Sequence, residues 1–218
     1  MGDELKKDGR YDVSGLPEAQ FEPGSKDQVL KNRLGIMSKQ AMDDAEARAL
    51  QRATDRFIGT FDATHRFTAA DVCEIHRVWL GEIYEWAGRY RQVNVSKGEF
   101  PFAAAAQIPA LMAAFETGSL RRRTPCNVTA RADVVRALAE VHTELVLIHP
   151  FRDGNGRVAR LLSTLMALQA GLPLLDFRAI VGENKNAYFS AVQAGLDKHY
   201  EPMGRIFTEI IERSVAAS

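Results

Sequence analysis

The stretch from His149 to Arg160 reads HPFRDGNGRVAR and runs directly into an apolar helix signal. Pro150 disfavours helical geometry at His149, so the helix arriving there must stop. Gly154-Asn155-Gly156 marks a tight turn, and residues 155–170 are apolar on nearly every side once two arginines have passed. A helix, an abrupt loop and a central buried helix therefore have to follow one another without a spacer.

The side chains at that junction suit phosphate chemistry. The first amides of a helix lack internal acceptors and carry partial positive charge, which makes a helix start an anion site. Gly154 and Gly156 let the backbone of Asn155 and its neighbours come close to such a ligand. Arg157 and Arg160 are three positions apart, share a helical face and carry donors for phosphate oxygens. Asp153, just before the turn, is a hard oxygen ligand for Mg²⁺ shared with two phosphates. His149 ends the preceding helix, and an imidazole there can accept a hydroxyl proton as the oxygen attacks phosphorus. Each residue has a plainer alternative: DGNG as a mere turn, His149 as a satisfied core histidine, the arginines as a solvated stripe. The joint spacing ahead of an apolar helix is what favours the functional reading.

Around this junction the chain reads as mainly α-helical. Residues 1–24 form an arm without sustained period, expected to be partly ordered, and residues 25–218 form one domain. Residues 28–34 read as a short helix stopped at Gly35, and residues 39–58 as a longer one closed by Gly59. Thr68 and Asp71 predict a capping box for a helix holding Val72, Ile75, His76 and Trp79, followed by a further helical turn or two over residues 80–87. Residues 89–102 predict a small β-hairpin turning at Lys97-Gly98, with Pro101 restricting it to an edge. Further helices are expected over 103–117, from Asn127 or Thr129 to Ile148, over 155–170, over 184–198 and over 202–215.

Composition narrows the classes. Lys+Arg and Asp+Glu are both 28, so no net charge draws the chain toward nucleic acid or an anionic membrane. The start has no apolar core of a signal peptide, and no run approaches a membrane span. Two cysteines without CxxC spacing indicate neither a disulfide framework nor zinc. A cytoplasmic protein is the expectation. No GxxxxGK[ST] or GxGxxG is present, so a P-loop or dinucleotide fold is not supported.

The twelve residues match HPFx[D/E]GNGRxxR, the signature of the Fic family, at every defined position, and the chain resembles that family beyond it. IYEWAGRYRQVNVSKGEFPFA, residues 83–103, is similar to the family's flap region, and LKNRLGI resembles the start of many bacterial Fic domains. The resemblance implies a compact Fic-type helical bundle with a hairpin flap, and a Mg²⁺-dependent transfer of AMP from ATP to a Ser, Thr or Tyr hydroxyl of a target protein. It implies His149 as general base, Asp153 as Mg²⁺ ligand, Gly154, Asn155 and Gly156 as anion hole, and Arg157 and Arg160 on the β- and γ-phosphates. The flap would dock the target segment by strand addition. Lys97 and Phe100 near its tip are candidates for target or nucleotide contact, a structural pin being the alternative. Tyr188 is a candidate wall of an adenine pocket, with core packing the equal alternative. Related kinases carry lysine in place of Gly156 and phosphorylate instead, so the glycine favours AMP transfer; another nucleotide or diphosphate donor is the alternative, since the turn reads the diphosphate and not the base. A module that binds nucleotide without transfer is a further alternative, disfavoured by the intact His149.

Many relatives carry an inhibitory [S/T]xxxE[G/N] helix. Residues 208–213, TEIIER, match it only in part through Glu212. The resemblance therefore implies a toxin restrained by a separate small antitoxin that supplies the helix, with Glu212 as the alternative. Among targets it points to type II topoisomerases. His142, two turns before His149, reads as a packing histidine in preference to a metal pair, and Arg121-Arg122-Arg123 as a solvated run.

Overall fold

The computed structural model describes residues 4–5, 15–180 and 184–218. Helix α1 (Lys39–Thr60) starts at Ser38, whose hydroxyl accepts from the Ala41 amide, and buries Met42, Ala45, Ala49, Ala53 and Phe57 along one stripe. It runs through Gly59 and ends where Phe61 turns extended, two residues past the expected stop. Helix α2 (Ala69–Leu80) has the capping box that Thr68 and Asp71 predict: each side chain accepts from the other's amide, at 3.1 and 2.8 Å. Its buried face carries Val72, Ile75, His76, Trp79 and Leu80.

Two expected helical segments are absent. Residues 28–34 are bends and turns with a single bridge between Phe21 and Leu30. Asn32 explains this, because its side chain accepts from the Leu34 and Ile36 amides and donates to the Leu30 and Ile36 carbonyls. Side-chain bonds of this kind compete with a helical ladder. Residues 80–87 form successive hydrogen-bonded turns that bring Ile83, Tyr84 and Trp86 into the core.

A three-stranded antiparallel sheet follows, made of β1 (Glu4–Leu5), β2 (Val95–Lys97) and β3 (Phe100–Pro101) in that order. The hairpin turn is Gly98-Glu99, one residue later than expected, with Gly98 at φ 56°. Phe102 donates to the Val95 carbonyl, so by alternation the Pro101 nitrogen lies on the outer edge of β3, where it has no hydrogen to offer. β1 comes from the expected N-terminal arm and pairs with β2 through Glu4–Ser96 and Leu5–Val95.

The remaining chain is helical. α3 (Ile108–Phe115) continues through a π turn (Glu116–Leu120) into the single turn α4 (Arg121–Arg123). The run is largely exposed, as expected, but Arg122 and Arg123 both bind the buried carboxylate of Glu140, which anchors it. α5 (Arg131–Ile148) and α6 (Asn155–Gln169) pack against each other at the centre. α7 (Asn184–Ala194) passes into a short 3-10 turn, and α8 (Glu201–Ala216) packs on α5 and α7. α1 and α2 pair and both touch α6. The expected mainly helical bundle with one small hairpin is met.

Because α2 carries His76 and Trp79 against the α5–α6 junction, its cap matters beyond its own end. Thr68→Ala is expected to lower unfolding free energy by about 1 kcal/mol. A shifted urea midpoint at constant m-value checks this.

Candidate active site

The loop from His149 to Gly154 takes its shape from bonds to its backbone. His149 ends α5 in the left-handed region, φ 53° and ψ 58°. The Asn155 side chain staples the loop, accepting from the Phe151 amide and donating to the Phe151 carbonyl, both at 2.8 Å. It is buried and holds the loop, so what Asn155 has left to offer an anion is its backbone amide. Phe151 is fully buried, and its ring lies flat on that of His76, centroids 3.9 Å apart.

His76 bridges two loops. The Gly88 amide donates to Nδ1 at 2.7 Å, so Nε2 carries the hydrogen and donates to the Asp153 carbonyl at 3.1 Å. Gly154 has φ +83°, and a Cβ there would stand 2.6 Å from the Trp79 ring, so both backbone angle and space require glycine. No side chain caps α6, which leaves its leading amides to a ligand.

His149 is oriented from both sides. Its Nδ1 lies 3.1 Å from the Val146 carbonyl, which can only accept, so Nδ1 holds the hydrogen and the lone pair of the neutral ring is on Nε2. The Phe102 ring, from the returning arm of the hairpin, stacks on the imidazole at 3.6 Å. The residue is 6% exposed. Asp153 is half-exposed, and its contacts to Gly154 and Arg157 use Oδ1. Among the described residues no cluster of three His, Cys, Asp or Glu could cage a metal. A lone carboxylate fits Mg²⁺, which takes one or two protein carboxylates and completes its shell with phosphate and water.

The two arginines diverge. Arg157 donates through Nη1 to Glu46 at 2.5 Å and through Nη2 to Asp153 at 3.3 Å, with its guanidinium 4.6 Å above the Trp79 ring. Glu46, buried on α1, also accepts from Tyr84 at 2.7 Å and gives its carbonyl to Trp79 Nε1 at 2.9 Å. The sequence reading puts both arginines on phosphate; here Arg157 also ties α6 to α1 and neutralises Glu46. Arg160 has no carboxylate partner among the described residues. Burial, and then Arg157, hold its pKa below the ordinary arginine value. It is the cation left for an anion.

Lys97 and Phe100 meet one residue, Phe189 of α7: the ammonium lies 4.9 Å from its ring centre and the Phe100 ring 5.6 Å away, edge-on. They seat the hairpin on α7. Tyr188 is 2.8 Å from His142 Nε2, and His142 Nδ1 is 3.1 Å from Ser163 Oγ, which itself donates to the Ala159 carbonyl. Hydrogens therefore run from Tyr188 through His142 to Ser163, which supports core packing for Tyr188 and a buried structural role for His142. Glu212 lies on the exposed face of α8, in a groove of about 350 Å³ with Arg131, Thr208 and Val215, and makes no ion pair with Arg160.

Sequence reasoning missed Glu46, His76 as a site residue, and Arg91, whose guanidinium binds the His149 carbonyl at 2.7 Å. His76 alone left a trace, as a polar residue on an apolar stripe.

A family model described as the Fic/DOC family matches residues 66–167. The chain is 32% identical over 152 residues to a "Probable protein adenylyltransferase Fic" of Salmonella typhimurium, covering 67% of this chain and 71% of that protein. It is 27% identical over 191 residues to the protein adenylyltransferase Fic of Nematostella vectensis, but spans only 43% of that protein's length. The N-terminal Fic domain of a VirB-translocated Bep effector protein from Bartonella quintana, solved with bound ADP, aligns with TM-score 0.69 at 26% identity, covering 89% of this chain and 95% of that one.

Burial pushes His76 and His142 down to about 3. Unfolded histidine titrates near 6.5, so between roughly pH 6.5 and 3 the unfolded chain binds protons the folded one refuses. Stability is thus expected to fall with acidification through that window. His142→Gln removes one such site and should reduce the slope of unfolding free energy by about 1.4 kcal/mol per pH unit between about pH 5.5 and 4. Urea titrations at stepped pH measure it, and an unchanged slope would contradict the neutral, buried state.

Proposed function

Because the chain belongs to the Fic/DOC family, we propose that it is a protein adenylyltransferase, moving AMP from ATP to a Ser, Thr or Tyr hydroxyl of another protein. The observation that carries this reading is the junction itself: an imidazole with its lone pair fixed on Nε2, a half-exposed carboxylate, uncapped helix amides and an arginine with no carboxylate partner among the described residues, all within twelve positions. The ADP bound in the Bartonella quintana neighbour supports an adenine nucleotide as donor.

In this mechanism the leading amides of α6 and Arg160 hold the polyphosphate, and Asp153 holds Mg²⁺, which when bound offsets phosphate charge. His149 Nε2 takes the proton of the target hydroxyl as that oxygen bonds to the α-phosphorus. The bond from the α-phosphorus to the bridging oxygen breaks, and pyrophosphate leaves. Phe102 over the imidazole excludes water from one face. Arg157 acts from behind, keeping Asp153 placed through its bond to Oδ1.

Control by a separate small antitoxin belongs to the same proposal. Arg160 lacks a carboxylate partner among the described residues, which suits an inhibitory glutamate arriving from another chain. Type II topoisomerases are the target class that the family resemblance favours. No helix among the described residues is long and apolar enough to cross a membrane, consistent with work in the cytoplasm.

Incubation with α-labelled and γ-labelled ATP and a cell lysate tests the chemistry. Label from the α position should enter protein with release of pyrophosphate; incorporation of the γ label would make the chain a kinase instead. His149→Ala should lower transfer by roughly 10²–10⁴-fold with an unchanged melting curve. Undiminished transfer in that variant removes His149 as base.

A further inference from the structure

Arg91 is among the largest fully buried side chains of the protein, 2% exposed, and the chemistry above does not use it. A guanidinium stays charged, so burying it is costly unless its donors are satisfied. Its donors reach three segments of chain. Nε binds the His149 carbonyl at 2.7 Å, Nη1 the Val93 carbonyl at 2.6 Å and Nη2 the Ala103 carbonyl at 2.6 Å. The Arg91 amide also donates to the Pro150 carbonyl at 2.8 Å. Glu18, buried nearby, takes the amide of Gln92 and supplies negative charge close to the guanidinium.

Val93 and Ala103 are the two feet of the hairpin, and His149 is the residue held in the left-handed region. One planar group thus fixes both feet of the hairpin and the backbone turn that aims the imidazole. The hairpin meets the same histidine again through Phe102, whose ring stacks on the imidazole at 3.6 Å. We propose that Arg91 is a positioning residue that couples the seating of the hairpin to the orientation of His149, so that the imidazole is aimed only while the hairpin is in place. This rests on His149 being the base, as proposed above. A lysine would keep the charge but present its donors from one nitrogen, unable to bridge three carbonyls on separate segments.

The test compares Arg91→Lys with the unmodified chain. The expected result is a folded variant whose kcat for AMP transfer falls by about 30-fold or more while its Kd for ATP stays within about twofold, because orientation is lost and nucleotide binding is not. A kcat within about threefold of the unmodified chain overturns the coupling, as does a matching loss of nucleotide affinity. If the variant does not fold, amide hydrogen exchange on the unmodified chain decides the matter. The amides of Phe102, His149 and Phe151 should then open as one unit, with protection factors agreeing within about tenfold. Phe102 exchanging about a hundredfold faster than the other two overturns the proposal. If the unmodified chain transfers no AMP to any protein, the proposed function fails, and the exchange measurement still judges the coupling.

Discussion

The whole site depends on satisfying the backbone of a six-residue loop between two buried helices. A loop in that position would carry unpaired carbonyls and amides into the core, at a cost no domain of this size could carry repeatedly. Distant elements remove the cost. Arg91 takes the carbonyls of His149 and, through its amide, Pro150; His76 takes that of Asp153; Asn155 closes the ring around Phe151. Asp153 can stay half-exposed at the loop because so much of the backbone is bonded beneath it.

The same economy explains why charged residues sit in the interior. Glu46 is buried, yet its two oxygens are shared by Tyr84 and Arg157 and its carbonyl by the Trp79 indole. Arg157 in turn lies over the Trp79 ring. A pair so enclosed is weak testimony for stability, since its desolvation offsets much of its attraction. It fixes the angle at which α1, α2 and the start of α6 meet, and so where Asp153 points.

Much of the architecture was legible in the sequence. The capping box at Thr68, the three- and four-residue apolar steps of α5 and the apolar girdle of α6 each follow from local chemistry. So did the junction, because Pro150 and Gly154 act on their immediate neighbours. What was illegible came from partners far along the chain. Residues 28–34 looked helical because nothing in their spacing reveals that Asn32 turns its amide group on its own backbone. Glu46 could not be told from the other charged residues of α1, since only the fold brings it to Arg157, 111 positions away. Arg91, two positions after the exposed Arg89, was hidden for the same reason.

The outer edge of β2 has a consequence for any extended segment approaching the hairpin. Residues 4–5 already lie on that edge, and β3 turns the donorless nitrogen of Pro101 outward on the other. A newcomer reaches β2 only by exchange, trading one ladder for another. Such a trade leaves the tally of main-chain bonds nearly level, so preference among newcomers must come from their own side chains and not from the ladder.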